Sequence, residues 1–352
     1  MLKAKKLVLL MTFVLTSAIL LAGCGSSQEE KKGTQAGGDK KIVIKYSLPD
    51  AAIDGVPAYE AAKSMKEKIE KYSNGQAEVK LFPGGQLGSE QKNVPDVQKG
   101  VIEMAMITAG NMTSFSPSIG VYDFPYLFKS REEAYQVIDT LNDDLNALQI
   151  KESGTRTVAW LEQGFRHITN SKRPINSIED LKGLKIRIPN NKYVVEAFRS
   201  WGVEPVPMAW DETFNAVQQR VVDGQENPYS SIYQSKMYEV QDYVTELHYK
   251  LWLGTIIVSD KWFQGLPADV QEAIVKAGQE VAQENRQLMA KQEEDLKKQL
   301  TEKGLKISPA PADEDKWMTN AMSTWPKFYG ELPDPAILDK AMKVLGREKP
   351  QA

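Results

Sequence analysis

The sequence is poor in the residues that build metal centres, disulfides and histidine-based catalysis. Its 352 residues include one cysteine, Cys24, and two histidines, His167 and His248. A single cysteine cannot form an intrachain disulfide, and this set offers too few soft ligands for a zinc site. No GxSxG segment accompanies the histidines, so a serine hydrolase triad has no support. The composition therefore argues against a metal site and against histidine-dependent catalysis, and we predict no cofactor.

The sequence also lacks a large charge excess of either sign. It has 44 Lys plus Arg against 47 Asp plus Glu, which gives a formal net charge of −3. Without a global basic field, the chain is predicted to have no nucleic-acid partner. Its 41% hydrophobic and 26% charged residues are typical of a folded globular protein rather than a disordered one.

Residues 1–23 have the layout of a secretory signal peptide. Three lysines open the segment, a predominantly apolar run follows from 7 to 22, and small residues precede Cys24. The run is shorter than the roughly 20 residues that a transmembrane helix requires. Residues 24–40 contain no large apolar side chain and are rich in Gly, Ser and charged residues, which predicts a flexible tether.

From residue 41 onward, strand and helix patterns alternate. This alternation predicts an α/β architecture with substantially parallel sheets. The apolar residues of 42–44 predict a strand, and 57–72 carry apolar side chains at the 3.6-residue period of a helix. Val221 and Val222 predict a short strand that ends in a turn at the Asp-Gly pair following them.

The segment after Pro267 predicts one unusually long helix. Up to Lys303 it contains no proline and only one glycine, Gly278. A helix of this length far exceeds the mean of about 11–12 residues, and it can lie across two lobes.

Several segments, in order along the chain, resemble the solute-binding subunits of tripartite ATP-independent periplasmic (TRAP) transporters, and the dicarboxylate-binding subgroup in particular. The strongest are GLKIRIPNN (183–191), EPVPMAWDETFNAVQQRVVDGQENP (204–228) and IYQSKMYEVQDYV (232–244). Further matching segments are FPGGQLG (82–88), YDFPYLF (122–128), GFRHITNSKRPI (164–175) and LPADVQEAI (266–274).

A second resemblance concerns the residues around Cys24. The tetrapeptide Leu-Ala-Gly-Cys at 21–24 resembles the lipobox of bacterial lipoproteins, in which the cysteine is acylated and becomes the new N-terminus. It implies lipidation at Cys24 and retention at a membrane surface without insertion of the chain.

The TRAP resemblance implies a two-lobed periplasmic-binding-protein-like α/β fold with a long helix spanning both lobes. It assigns 41–163 plus 253–290 to lobe 1 and 164–252 plus 291–352 to lobe 2. The implied function is non-enzymatic: the protein captures a small carboxylate in the cleft between the lobes and delivers it to an ion-gradient-driven TRAP permease. The solute is a C4-dicarboxylate, a sugar acid or another organic acid. The implied location is the outer face of the cytoplasmic membrane or the periplasm.

Arg187 is the principal candidate for binding the solute. In the family, the KIRIP strand supplies the arginine that pairs with the substrate carboxylate, and a guanidinium suits this because its planar fork makes two parallel charge-assisted hydrogen bonds. Strand alternation puts Arg187 on the same face as Lys185, which alone would indicate only a solvated face. However, Pro189-Asn190 ends this strand, and strand carboxyl ends in open α/β sheets face the ligand crevice. We therefore predict that Arg187 contacts the ligand.

Further binding candidates come from the same resemblance. Arg166 matches a second family arginine, Asn227 matches an asparagine whose amide binds substrate, and Trp210 matches an aromatic or apolar cleft residue. Asn227 is followed by proline and is also typical of a turn. The positions near the far end of the solute are Gln86, Glu90 and Thr108, with Trp252 as a further aromatic candidate.

Two further polar residues, Asn190 and His167, are weaker candidates for ligand binding, because the sequence leaves the role of Asn190 undecided and favours a structural role for His167. Asn190 could be the N-cap of the helix that follows, or it could contribute its side chain to an anionic ligand at that helix N-terminus. His167 matches no family role and is predicted to be a surface or hydrogen-bonded structural residue. Thr108 and Asn111 are uncharged where sialic-acid binders carry a charged pair, which argues against sialic acid.

Three alternative functions compete with the TRAP interpretation. A secreted hydrolase on a similar fold would turn over the bound compound, and paired carboxylates could serve it. A ligand-sensing module would report to a receptor instead of a permease, which neighbouring permease genes would distinguish. A binding protein for an ATP-driven importer would lack the KIRIP and VDGQENP segments.

Overall fold

The computed structural model describes residues 41–351. The predicted signal peptide (1–23) and tether (24–40), with Cys24, lie outside the described residues. The strands are β1 Ile42–Ser47, β2 Ala77–Phe82, β3 Met104–Thr108, β4 Thr155–Phe165, β5 His167–Asn170, β6 Lys185–Ile188, β7 Glu204–Pro207, β8 Gly224–Asn227, β9 Tyr243–Thr245, β10 Leu251–Ser259 and β11 Lys306–Ser308. The α-helices are α1 Pro57–Tyr72, α2 Glu90–Gln98, α3 Ala109–Met112, α4 Arg131–Ser153, α5 Lys192–Ser200, α6 Trp210–Gln218, α7 Tyr229–Gln234, α8 Asp260–Gln264, α9 Ala268–Glu302, α10 Glu314–Met322 and α11 Ala336–Val344. Short 3-10 helices cover Pro117–Asp123, Ile178–Leu181, Met237–Glu239 and Trp325–Glu331.

These strands form two mixed sheets, which confirms the predicted α/β fold class. The first sheet has the order β2-β1-β3-β10-β4 and the second the order β11-β9-β5-β8-β6-β7. β1 pairs in parallel with β2 and β3, and β6 pairs in parallel with β7 and β8. The sheets are less parallel than predicted, because β10 runs antiparallel to β3 and β4, and β5 runs antiparallel to β8 and β9.

The strand predicted at Val221 and Val222 is wrong. The strand in this region is β8, which begins at Gly224. Val221 is exposed and Val222 is buried before the strand begins. Gly224 lies so close to β5 that a Cβ atom would meet the carbonyl oxygen of Thr169 at 1.9 Å. The glycine therefore serves close strand pairing rather than a turn.

Hydrophobic cores lie on both faces of the first sheet. Along β3, Met104 and Met106 pack towards α1 and α9, whereas Ala105 and Ile107 pack towards α2 and α4. This alternation follows from the two-residue period of a strand, and it leaves β3 buried on both faces.

Among the helices of residues 41–351, none combines the length and the hydrophobicity needed to cross a membrane.

The predicted long helix is confirmed as α9, which has 35 residues. It packs on β4 of the first sheet and on α7, which follows β8 of the second. At Gly278 the helix approaches β4 so closely that a Cβ atom would meet the carbonyl oxygen of Val158 at 2.0 Å. The helix therefore contacts the first sheet and a helix that is connected to the second sheet, while the boundaries of the two lobes stay a prediction.

Candidate functional site

A small cavity lies beside the strand ends of both sheets. From the first sheet and its connections come Pro49, Asp50, Glu90, Thr108, Asn111 and Trp252. From the second sheet and its connections come Arg166, Arg187, Pro189, Trp210, Asn227 and Ser231. The cavity thus combines cationic, acidic, amide and aromatic side chains from both sheets.

Strand direction explains the contribution of the first sheet. β1 and β3 run parallel, so the chain leaves both strands at the same edge, where Asp50 and Thr108 lie. β10 runs antiparallel to β3 and brings its amino end to this edge, with Gly254 paired to Thr108. Trp252 therefore meets the residues that follow β1 and β3. Binding residues gather at such carboxyl edges in open α/β sheets for this topological reason.

The second sheet uses the same arrangement. β6 and β8 run parallel, and Arg187 and Asn227 lie at or next to their carboxyl ends. The antiparallel strand β5 begins at this edge, because His167 pairs with Asn227. Arg166 is the single residue between β4 and β5, so it lies where the chain passes from the first sheet to the second.

Among the described residues, the buried guanidinium of Arg187 has no anionic partner. Arg187 is only 2% exposed, and it takes part in none of the ion pairs within residues 41–351. Nε and Nη2 donate to the carbonyl oxygen of Met208 at 3.1 and 2.6 Å. A guanidinium has five N–H donors, so three remain without a partner in the described structure. Burial lowers the pKa of Arg187 to about 10, which leaves it cationic at neutral pH.

Arg166 differs from Arg187 because Glu226 neutralises it. Arg166 Nη2 donates to Oε1 of Glu226 at 2.7 Å, and its Nε donates to Oε2, which also accepts from the Tyr249 hydroxyl. All three residues are buried. Burial acts to lower the pKa of Arg166, but the Glu226 carboxylate outweighs it and raises that pKa above its ordinary value. Of the two arginines that line the cavity, Arg187 is therefore the one that no carboxylate of the described residues pairs with.

Asn227 and Trp210 line the cavity together with Arg187. The Asn227 amide donates to the side-chain oxygen of Gln225 at 2.6 Å, which fixes its orientation at the end of β8. Trp210 begins α6, and the Arg187 guanidinium carbon lies 5.6 Å from the centroid of its ring. This distance is within the range of a cation–π contact, which helps to hold the guanidinium in place.

Two acidic side chains come from the first-sheet side of the cavity. Glu90 accepts hydrogen bonds from the Thr108 backbone N–H and the Asn111 amide, and burial raises its pKa in spite of these donors. Burial also raises the pKa of Asp50, to about 7, while the amides of Gln234 and Gln163 act in the opposite direction. Burial therefore disfavours the ionised form of both carboxyl groups.

Seven of the candidate residues line this cavity, and two do not. Arg187, Arg166, Asn227, Trp210, Glu90, Thr108 and Trp252 are brought together. Asn190 and Gln86 are exposed and are not among the residues that line the cavity.

The N-cap role considered for Asn190 is wrong. Asn191 caps α5 by accepting a hydrogen bond from the Val194 backbone N–H at 3.1 Å. Its amide also donates to Oδ2 of Asp123 at 2.8 Å, a contact between elements of the two sheet regions.

The sequence reasoning missed Asp50 and Glu226. Asp50 follows β1 by three residues, and the rule that placed Arg187 at a strand end applies to it equally. Glu226 gave no usable signal, because its partner Arg166 is 60 residues earlier in the sequence. Strand pairing of Ile168 with Glu226 is what brings the two charges together.

His167 lies in the structure as a buried, hydrogen-bonded residue outside the cavity. Its Nδ1 accepts from the Leu247 backbone N–H at 3.2 Å, and burial lowers its pKa to about 4. The ring is therefore neutral at physiological pH. Within residues 41–351, no group of three or more His, Cys, Asp or Glu side chains is arranged to hold a metal ion.

Residues 50–332 match the family described as "Bacterial extracellular solute-binding protein, family 7". The chain belongs to this family. The matched span includes every residue that lines the cavity except Pro49.

Two relatives and one solved structure illustrate the relationship of this family 7 protein. The 2,3-diketo-L-gulonate-binding periplasmic protein YiaO of Escherichia coli K12 is 31% identical over 70% of this chain and 75% of its own length. The C4-dicarboxylate-binding periplasmic protein DctP of Vibrio cholerae is 30% identical over 83% of this chain and 88% of its own. A TRAP periplasmic solute binding protein from Polaromonas sp. JS666, bound to D-erythronate, superposes with a TM-score of 0.81 at 27% identity. That match covers 88% of this chain and 99% of the other.

Proposed function

We propose that the protein captures a small carboxylate in the cavity between its two sheets and delivers it to an ion-gradient-driven TRAP permease. The observation that carries the proposal is the Arg187 guanidinium, which is buried and has no carboxylate within ion-pair distance in the described structure. An unpaired buried charge is costly, and an incoming carboxylate removes that cost through a bidentate pair. The relatives and the solved structure described above are named for small carboxylates: 2,3-diketo-L-gulonate, C4-dicarboxylates and D-erythronate.

A thermal-shift screen tests carboxylate capture directly. Purified protein is heated with D-erythronate, 2,3-diketo-L-gulonate, succinate and similar acids, with erythritol as a neutral control that keeps hydroxyl groups but lacks the carboxylate. A ligand at 100 times its dissociation constant stabilises the folded state by about 2.7 kcal/mol, which raises the melting temperature by several degrees. We expect at least one acid to give this shift and erythritol to give none. Absence of a shift across a broad carboxylate library would overturn the proposal.

We further infer that the two lobes predicted from the sequence, 41–163 plus 253–290 and 164–252 plus 291–352, close around the solute. Two hydrogen bonds near the cavity join elements of the two sheets and support closure. Gln234 of α7 donates to Asp50 after β1, and Asn191 at the start of α5 donates to Asp123. Contacts of this kind can form only when the two sides are close together.

We also propose that the mature protein is an exported lipoprotein anchored through acylated Cys24. The support is the sequence alone: an apolar leader, a Leu-Ala-Gly-Cys tetrapeptide and a polar tether that links the anchor to the folded part. A tethered binding protein stays near a membrane-embedded permease, which raises the local concentration of the solute carrier at its partner.

Replacement of the anchoring cysteine provides the test. Cys24→Ser removes the thiol that would be acylated, so we expect the protein to move from the membrane fraction to the soluble exported fraction. Ligand-induced thermal stabilisation should be unchanged, because the residues that line the cavity lie between 49 and 252 and do not include the cysteine. Ser26→Ala, two residues away, is a matched control that should stay with the membrane. If the signal-cleaved Cys24→Ser protein remained membrane-bound, the lipoprotein proposal would be wrong.

A further inference from the structure

Asp50 presents an unused hydrogen-bond acceptor at the cavity. Its Oδ1 accepts from the Gln234 amide, but Oδ2 is fully buried and has no hydrogen-bond partner in the described structure. The neighbouring Nε2 of Gln163 is also buried and has no partner at hydrogen-bond distance among the described residues, although the amide lies close enough to Asp50 to act against the rise in its pKa. A buried polar atom without a partner costs free energy, so this arrangement indicates a place for a ligand group.

Glu90, the other acid at the cavity, is already engaged. One of its oxygens accepts from the Thr108 backbone and the other from the Asn111 amide. It contributes negative charge beside Asp50, and the two carboxyl groups interact unfavourably. The open acceptor is therefore on Asp50, and the surroundings of that acceptor are acidic.

The two cations that line the cavity lie on a strand of the second sheet or directly before one. Arg187 and Arg166 are the only Lys or Arg residues among those that line it, and Arg166 is neutralised by Glu226. Lys250, a buried lysine directly before β10, does not line the cavity and is paired with Asp123. A solute carboxylate held by Arg187 would thus exhaust the free positive charge, and a second carboxylate would face Asp50 and Glu90 without compensation.

From this asymmetry we propose that the solute is a hydroxylated monocarboxylic acid, of the sugar-acid type, and that Asp50 selects it by accepting a hydrogen bond from a solute hydroxyl. A hydroxyl group both donates and accepts, so it matches the open Oδ2 of Asp50 and the open Nε2 of Gln163 together. A dicarboxylate of the same length offers only acceptors and adds a negative charge. The inference rests on the proposed carboxylate capture and specifies its substrate class.

Calorimetric titration of the purified protein with length-matched acids tests this selection. The four-carbon set is D-erythronate, butyrate and succinate, and the six-carbon set is D-gluconate, hexanoate and adipate. Titration near pH 8 keeps Asp50 ionised for the greater part, since its pKa is about 7. In at least one set we expect the hydroxylated acid to bind about tenfold or more tightly than both the unsubstituted acid and the dicarboxylate.

Two isosteric variants and one control assign the preference to the cavity acids. Asp50→Asn should weaken binding of the preferred hydroxy acid by about tenfold. It should also reduce the ratio of the affinity for the hydroxy acid to the affinity for the dicarboxylate, because the variant no longer carries a negative charge that repels the second carboxylate. Glu90→Gln should reduce the same affinity ratio, because it also removes a negative charge from this side of the cavity. Asp54→Asn makes the same chemical change four residues away, at a carboxylate 86% exposed and paired with Lys63, and should leave all affinities unchanged.

The outcomes separate the two proposals. If a dicarboxylate binds as tightly as, or more tightly than, the hydroxy acid in both sets, the selection inference is overturned while carboxylate capture stands. An unchanged preference in folded Asp50→Asn would remove Asp50 from the mechanism. If wild-type protein binds none of the six acids, and the broader library gives no thermal shift, carboxylate capture itself fails. Melting temperatures establish folding, and the wild-type comparison decides the substrate class without any variant.

Discussion

Replacing Arg187 with methionine is expected to abolish measurable binding of the preferred carboxylate. Methionine keeps much of the side-chain volume but removes the only cation of the cavity that lacks a carboxylate partner in the described structure. Truncating one member of a buried charge pair costs about 2–5 kcal/mol, which corresponds to roughly 30- to 4,000-fold in affinity. Calorimetric titration with the acid that the thermal screen identifies measures the loss.

The conservative variant Arg187→Lys should recover only part of the affinity. An ammonium group supplies a point charge, but it cannot make the two parallel hydrogen bonds of a guanidinium or hold the Met208 carbonyl in the same way. Lys185→Met is the matched control, since Lys185 lies two residues earlier on β6 and is about half exposed. A loss of less than threefold for folded Arg187→Met would remove this residue from the site and take the carboxylate-anchoring argument with it.

Replacing Glu226 with glutamine is expected to be the most destabilising single change in the site. Glutamine keeps the shape of the side chain but leaves Arg166 as a buried charge with no carboxylate, and it disturbs the hydrogen bond from Tyr249. Breaking a buried ion pair by removing one partner costs about 3–5 kcal/mol. At about 2–4 °C for each kcal/mol in a protein of this size, we expect the melting temperature to fall by on the order of 10 °C.

Two further variants show whether the loss comes from the unpaired charge. Glu204→Gln, on β7 of the same sheet, changes a carboxylate that is 64% exposed and should leave the melting temperature nearly unchanged. Adding Arg166→Met to Glu226→Gln should restore part of the stability, because no uncompensated charge then remains in the pair. A fall of less than about 2 °C for Glu226→Gln alone would show that Arg166 is stabilised by other groups.

The fates of Arg187 and Arg166 show what each kind of information provided. Both were predicted as ligand contacts from a family resemblance, and both line the cavity. From the sequence, both were predicted to be cations that contact the ligand, with Arg187 as the principal contact and Arg166 as the second. The structure separates them chemically, because strand pairing places Glu226 against Arg166 and leaves Arg187 with a backbone carbonyl only. A pair 60 residues apart in sequence leaves no local pattern that could reveal it.

Errors at β8 and Asn190 have a different cause. In both cases, the strand predicted at 221–222 and the N-cap considered at Asn190, the local sequence did not determine which of two neighbouring positions takes the role. The Asp-Gly pair at 223–224 is typical of a turn, yet Gly224 begins a strand because only glycine fits against Thr169. Asn190 and Asn191 are equally good caps by type, and the backbone geometry selects Asn191.

The sequence by itself determined the elements whose signals are local and strongly periodic: the strand β1, the helix α1, the long helix α9, and the α/β class that the alternation of strands and helices implies. It also placed Arg187 at a strand end. Tertiary structure alone decided which strands are antiparallel, and therefore that Asp50, Trp252 and Arg166 meet at one cavity. The physical reason is that periodicity records which face of an element is buried, whereas the neighbours of a buried charge depend on pairings between residues far apart in the chain.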